Sequence, residues 1–147
     1  MGGFESLMKD HAMLFFFSPL IAAMAGNVGV QSSAIVVQAL ASEGLRGTMS
    51  QRLLKEVMLS LLNGSLLGGL LLLVTWVWKG NILTSMAISL SLVSVTLFAG
   101  IIGTFIPIFL HKRGVDPAIA TGPFITTSND IFGILIYFSI AKLILGI

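Results

Sequence analysis

The chain has 147 residues, of which 56% are apolar and only 10% are charged, with a mean hydropathy of +1.02. A soluble domain carries roughly 25% charged residues, so this composition is typical of an integral membrane protein. Four membrane spans use about 100 residues, which excludes an appended catalytic or nucleotide-binding domain. The chain contains no cysteine, so disulfides and thiolate metal sites are excluded as well.

Uncharged segments predict the transmembrane helices. Asp, Glu, Lys and Arg are absent from 13–42, 57–78 and 80–110. Each of these runs can cross a bilayer core, which needs about 20 residues. We predict one transmembrane domain over residues 1–147, with helices at about 12–41, 51–79, 82–111 and 116–145. The fold class is all-α integral membrane with four transmembrane helices, since an open sheet edge cannot lie in lipid and a barrel would show alternation.

Polar residues and glycines predict where the helices begin and end. Ser50 suits the N-cap of the second helix, and Asn81 suits that of the third. Gly114 suits a left-handed cap after the third helix. Asp116 is expected to cap the fourth helix, with Pro117 at its first position, where a missing N–H costs nothing.

The basic residues predict the orientation. Five of the eight fall in two loops that lie on one side: Arg46, Arg52, Lys55, Lys112 and Arg113. The other side has three: Lys9, Lys79 and Lys142. By the positive-inside rule both basic loops are cytoplasmic and both termini lie outside, in a multi-pass protein of the cell (inner) membrane. The positive charge is therefore explained by topology, and the bilayer, not nucleic acid, is the expected partner.

Asp130 is the one charged residue predicted to lie in mid-membrane. No other charge occurs from Pro117 to Ala141, and a rise of 1.5 Å per residue places Asp130 about 20 Å from the predicted helix start. A charged Asp at a helix centre costs about 2.5–3.5 kcal/mol, and such residues usually face a cavity, a partner or an ion. We favour a cation site at Asp130 over a protonated Asp that bonds between helices.

Two polar stripes accompany this carboxylate. Gly122, Thr126 and Asp130 share one side of the fourth helix, with Asn129 beside them. The first helix carries a matching line: Gly26, Asn27, Gln31 and Gln38. Polar amides in an apolar helix must find partners or water, so both stripes are expected to line one pathway.

The chemistry of this pathway is all oxygen, because both histidines, His11 and His111, lie at membrane edges. Oxygen ligands suit magnesium, calcium or manganese and not zinc or copper. One carboxylate cannot build a dehydrated cage, but it can hold a hydrated ion through its waters. A symmetric dimer would place two such carboxylates around one axis.

Several segments resemble the transmembrane domain of the MgtE family of magnesium channels and transporters. They are Gly26–Gln31 in the first helix, Leu61–Gly64 in the second, and Thr121–Phe124 and Asp130–Gly133 in the last. The resemblance implies a five-helix domain that forms a homodimer with the pore between protomers. The first and fourth helices here would correspond to the family's pore-lining second and fifth helices, so that the four spans are its helices 2–5.

The resemblance also implies roles for individual residues. Asp130 would recognise hydrated Mg²⁺, while backbone oxygens at Thr126 and Gly122 face the pore and Gly26 and Asn27 line it from the other helix. The complete predicted pore-lining set is Gly26, Asn27, Gln31, Gly122, Thr126 and Asn129.

Two departures from the family pattern stand out. Val30 lies where many members have a second Asn. The family's first transmembrane helix, its cytoplasmic N-terminal domain and its CBS domains are not recognised in this chain. Regulation would then be absent or supplied by a separate regulatory or missing-helix partner, or the chain is a fragment.

The expected function is a passive channel or transporter that moves hydrated Mg²⁺ down its electrochemical gradient through a pore of the first and fourth helices. Mn²⁺, Co²⁺ and Ca²⁺ are alternative ions. One alternative function is a proton-coupled divalent cation exchanger, and another is a non-conducting membrane subunit or fragment. An enzyme is not expected, because no triad or carboxylate pair is present and Lys55 and Glu56 are interpreted as a solvated helix start.

Overall fold

The computed structural model describes residues 2–42, 47–120 and 122–147. Within these ranges the chain forms four long helices and no strand. The helices are α1 (Gly2–Ser42), α2 (Met49–Lys79), α3 (Ile82–Lys112) and α4 (Pro123–Leu145). Each contains a segment that is long and apolar enough to cross a membrane. The predicted all-α membrane fold with four spans is confirmed.

α1 is longer than its apolar span, Ala12–Ser42, because no proline or glycine lies between residues 4 and 18 to stop the helix. Pro19 lies inside α1 and has no N–H, so the Phe15 carbonyl loses its usual helical donor. Ser18 Oγ donates to that carbonyl oxygen at 2.9 Å. The hydroxyl thereby replaces a hydrogen bond that lipid could not supply.

α2 begins with a capping box formed by Thr48 and Gln51, two residues before the predicted cap at Ser50. The Gln51 N–H donates to Thr48 Oγ1 at 3.3 Å, and the Thr48 N–H donates to Gln51 Oε1 at 3.2 Å. This pair satisfies two N–H groups that a helix start leaves unbonded. Thr48 is preferred to Ser50 because only Thr48 has a glutamine three residues later.

The turn between α2 and α3 follows the predicted pattern. Gly80 ends α2 with a φ of 70°, and its N–H donates to the Trp76 carbonyl at 2.7 Å. Asn81 Oδ1 accepts a hydrogen bond from the Thr84 N–H at 3.2 Å, which confirms the predicted cap of α3. After α3, Gly114 adopts the expected left-handed conformation, with a φ of 73°.

The start of α4 differs from the prediction. Asp116 Oδ1 accepts a hydrogen bond from the Ala118 N–H at 2.9 Å and opens a single 3-10 turn, Pro117–Ala120. The α-helix begins only at Pro123, because Gly122 has a φ of 68° and a ψ of −126°. These dihedral angles lie outside the helical region and are open to glycine. Pro123 then fits the first helical position, where its missing N–H is not needed.

α3 is the central helix, packed against the other three. α2 approaches it through small residues: a Cβ built on Gly68 would lie 2.9 Å from Val93 Cγ2. Ser89 Oγ also donates to the Gly68 carbonyl at 2.6 Å. Burial does not drive helix association in lipid, so this close backbone contact and its hydrogen bond hold the two helices together.

α1 and α3 meet backbone to backbone at Gly29 and Gly103. A Cβ built on Gly103 would lie 2.4 Å from the Gly29 carbonyl oxygen. Near the other end of the bundle, Tyr137 of α4 is fully buried, and its hydroxyl donates to the Leu14 carbonyl at 2.9 Å. α1 is therefore held against both α3 and α4.

Gly103→Ala is expected to lower the melting temperature of the purified protein, because the Gly29 carbonyl is backbone and cannot swing away from the new methyl group. Overpacking of this kind lowers the free energy of unfolding by about 1–3 kcal/mol, which corresponds to a fall of several degrees in melting temperature. Tryptophan fluorescence during thermal unfolding in detergent measures the change.

Gly69→Ala is the matched control, since a Cβ at Gly69 meets nothing within 4 Å. Its melting temperature should equal or slightly exceed that of the wild type. A Gly103→Ala protein as stable as Gly69→Ala would contradict the Gly29–Gly103 contact.

Candidate cation site

An open groove of about 540 Å³ lies between α1 and α4. From α4 it is lined by Thr126 and Asp130. From α1 it is lined by Pro19, Ala22, Ala23, Gly26, Asn27, Val30, Gln31 and Ala34. These α1 residues recur once per helical turn, singly or as neighbouring pairs, so they form a single face of the helix.

Asp130 is half-buried and lies against the α1 backbone at Gly26. A Cβ built on Gly26 would lie 3.6 Å from Asp130 Oδ1 and 3.3 Å from Thr126 Cγ2. Because Gly26 has no side chain, none separates the carboxylate from this part of α1. Gly26 is 14 residues after Ala12 and 16 before Ser42, the ends of the α1 span. The carboxylate therefore faces the middle of that span.

The depth of Asp130 measured along α4 is smaller than predicted. Since α4 begins at Pro123 and not at Asp116, Asp130 lies about 10 Å from the helix start instead of about 20 Å. The 3-10 turn and the break at Gly122 account for the difference. The mid-span position of Asp130 is therefore set by its contact with Gly26 of α1.

The structure brings four of the predicted lining residues together with Asp130. Gly26, Asn27 and Gln31 line the groove from α1, and Thr126 lines it from α4. Asn27 and Gln31 are exposed at the surface of this chain, so their amides face outward from the bundle. The groove thus combines one carboxylate, two amides and one hydroxyl.

Gly122 does not line the groove, although it was predicted beside Asp130. Its carbonyl accepts two hydrogen bonds from Thr126, one from the backbone N–H at 3.0 Å and one from Oγ1 at 3.1 Å. The Thr126 hydroxyl proton is therefore directed along α4, and the Thr126 methyl group faces Gly26 of α1.

Asn129 is the other predicted residue that does not reach the groove. It is fully buried, and its Nδ2 donates to the Ala25 carbonyl at 3.4 Å, while Oδ1 has no partner among the described residues. The side chain lies on Gly29, where a Cβ would come 1.8 Å from Nδ2. Asn129 thus joins α4 to α1 directly beside Asp130.

The small α1 residues of the groove were missed from the sequence. Pro19, Ala22, Ala23 and Ala34 create its space, because larger side chains on this face would fill it. In the sequence these residues are recognisable only because they are small and recur with Gly26 at helical spacing. The same spacing is also typical of ordinary helix packing, so it does not by itself indicate a groove.

The described part of the chain supplies a carboxylate to the groove and no basic side chain. Among these residues Asp130 is the one carboxylate that lines it. Within the described residues no group of three or more His, Cys, Asp or Glu could hold a metal ion. One chain can therefore bind an ion here through one carboxylate and water, but it cannot surround a dehydrated ion.

Comparison with known proteins assigns the chain to a family. The family model described as “MgtE: Divalent cation transporter” matches residues 18–140, which include both walls of the groove. The chain belongs to the MgtE family. This confirms the family predicted from the sequence segments around Gly26 and Asp130.

Curated MgtE relatives align with nearly the whole chain. The “Magnesium transporter MgtE” of Bacillus subtilis (strain 168) is 41% identical over 94% of this chain. The proteins of the same name from Enterococcus faecalis and Thermus thermophilus are 38% and 37% identical over 95% and 97%. The chain spans about a third of the length of these relatives, 31%, 31% and 32% respectively.

In this MgtE-family chain, Gly29→Ala is expected to displace Asn129 and destabilise the contact between α1 and α4. Asn129→Ala removes the obstructing amide, so the double variant should recover part of the lost stability. We expect a coupling of about 1–2 kcal/mol in a double-mutant cycle measured by thermal unfolding in detergent. If the stability losses of Gly29→Ala and Asn129→Ala simply add in the double variant, the two residues do not touch.

Proposed function

We propose that this chain passes magnesium across the membrane and binds the hydrated ion at Asp130. The observation that carries the proposal is the Asp130 carboxylate opposite the middle of the α1 span, in a groove that no basic residue lines among those the structure describes. An intramembrane carboxylate without a counter-charge attracts a cation. The names of the relatives, all magnesium transporters, favour Mg²⁺ as that cation.

The groove suits a hydrated ion better than a bare one. Mg²⁺ sheds its water reluctantly and prefers six oxygens in octahedral geometry. A water occupies about 30 Å³, so a groove of about 540 Å³ has room for the ion with its complete shell. Asp130, Asn27, Gln31 and Thr126 would then contact the waters and not the metal.

The open side of the groove favours a second copy of the chain as its other wall. Asn27 and Gln31 are exposed, and amides that face lipid would lack hydrogen-bond partners. A two-fold axis along the groove would cover these amides and place two Asp130 carboxylates around one pathway. We therefore propose a homodimer with the pore between protomers.

The proposed transport is passive and driven by the membrane potential. Moving one charge across 100 mV is worth about 2.3 kcal/mol, and a divalent ion gains twice that. In the proposed orientation the start of α2, with Arg52 and Lys55, and the end of α3, with Lys112 and Arg113, are cytoplasmic. Lys79 and Lys142 lie at the outer side.

Asp130→Asn is expected to reduce Mg²⁺ flux into proteoliposomes at least tenfold under an imposed potential. The change removes the charge and keeps the shape, so the loss reports on ion binding. A magnesium-sensitive dye inside the vesicles measures the rate. The matched control is Asp116→Asn, which alters an exposed carboxylate outside the groove and preserves the acceptor for the Ala118 N–H.

Equal flux in the wild type and Asp130→Asn would contradict the proposed role of Asp130. Wild-type flux that requires an opposing proton gradient would contradict passive transport and favour the coupled exchanger. Vesicles without any flux above the protein-free level would favour the non-conducting subunit.

A further inference from the structure

Glu56 is interpreted from the sequence as a solvated helix end, but its side chain is half-buried and contacts another helix. The side chain is half-buried, about 10 Å along α2, and it accepts a hydrogen bond from Ser32 Oγ of α1. Gly100 of α3 faces the same group, because a Cβ there would lie 3.1 Å from Glu56 Oε1. Three helices therefore meet at one carboxylate.

Ser60 adds an unpartnered oxygen at the same place. It lies one turn after Glu56, is 2% exposed, and its Oγ has no hydrogen-bond partner among the described residues. This oxygen is 2.1 Å from the position that a Cβ on Gly100 would take, so it points to the junction with Glu56. Ser91 and Thr96, by contrast, donate to the carbonyl four residues earlier at 2.6 and 2.9 Å. The Ser60 oxygen is left for another ligand.

The charge of Glu56 has little compensation from the protein. Among the residues whose side chains the structure describes, 12–42, 47–119 and 122–147, it has one hydrogen bond, from Ser32, and no ion pair. A half-buried carboxylate with a single donor loses part of its hydration, and a bound cation would offset that cost. Ser32 is itself buried, at 4% exposure, so the donor comes from the bundle interior.

We propose that Glu56, Ser32 and Ser60 bind one dehydrated monovalent cation of the size of Na⁺. The ligands are one carboxylate and two hydroxyls. Together they carry one negative charge, which matches the charge of a monovalent cation. Hydrated Mg²⁺ does not fit, since Ser60 Oγ and Glu56 Oε1 already lie within 3.1 Å of the position that a Cβ on Gly100 would take, which leaves no room for six waters. The site is separate from the groove, to which none of its residues belongs.

The site is tested by equilibrium binding of ²²Na⁺ to the purified Asp130→Asn protein in choline buffer without divalent ions. This background removes the groove carboxylate, so the test does not depend on the function proposed for Asp130. We expect about one Na⁺ per chain. Adding Glu56→Gln should weaken binding at least tenfold, while the amide oxygen still accepts the Ser32 hydrogen bond and preserves the fold.

Ser60→Ala provides a second variant that leaves Glu56 in place, and it should weaken Na⁺ binding severalfold. Ser139→Ala is the matched control, because its hydroxyl is exposed and already donates to the Leu135 carbonyl. Sodium binding that is unchanged by Glu56→Gln or by Ser60→Ala would overturn the proposal. The absence of sodium binding in the Asp130→Asn protein would also overturn it. So would displacement of the bound ²²Na⁺ by Mg²⁺ at concentrations as low as those at which unlabelled Na⁺ displaces it.

Discussion

The close approach of α1 to both neighbours at Gly29 is the contact on which the candidate site depends. Gly103 lies on one side of it, where a Cβ on Gly103 would collide with the Gly29 carbonyl. The Asn129 amide lies on the other side, where a Cβ on Gly29 would collide with it. This packing fixes α1 relative to α4, which places Gly26 against Asp130 less than one turn away. In lipid, where apolar burial does not drive helix association, backbone contacts and buried hydrogen bonds such as Asn129 to Ala25 hold the geometry.

The two half-buried carboxylates lie on different sides of α1 and have different surroundings. Asp130 faces a groove with room for water and polar side chains from two helices. Glu56 lies where α1, α2 and α3 meet, with Ser32 and a nearby unpartnered Ser60. In our proposal the hydrated divalent ion binds in the groove and a bare monovalent ion binds at the helix junction, because the groove has room for a water shell and the junction has none.

Sequence patterns could predict the helices because long apolar runs and cap residues act locally, as at Asn81. They also singled out Asp130, because one charge among uncharged neighbours stands out. The start of α4 could not be predicted, since Asp116-Pro117 is as good a helix start as Gly122-Pro123. Nor could the burial of Asn129 and Glu56, because their partners Ala25 and Ser32 are distant in the chain and depend on tertiary packing.

We propose that the groove holds a cation through its waters beside Asp130. Electron–nuclear double resonance on Mn²⁺ bound to the reconstituted protein in ¹⁷O-labelled water counts the waters on the ion and tests this binding mode. We expect the bound Mn²⁺ to keep its complete water shell and its signal to disappear when Asp130 is replaced by Asn. A bound ion that has exchanged several waters for protein oxygens would contradict it.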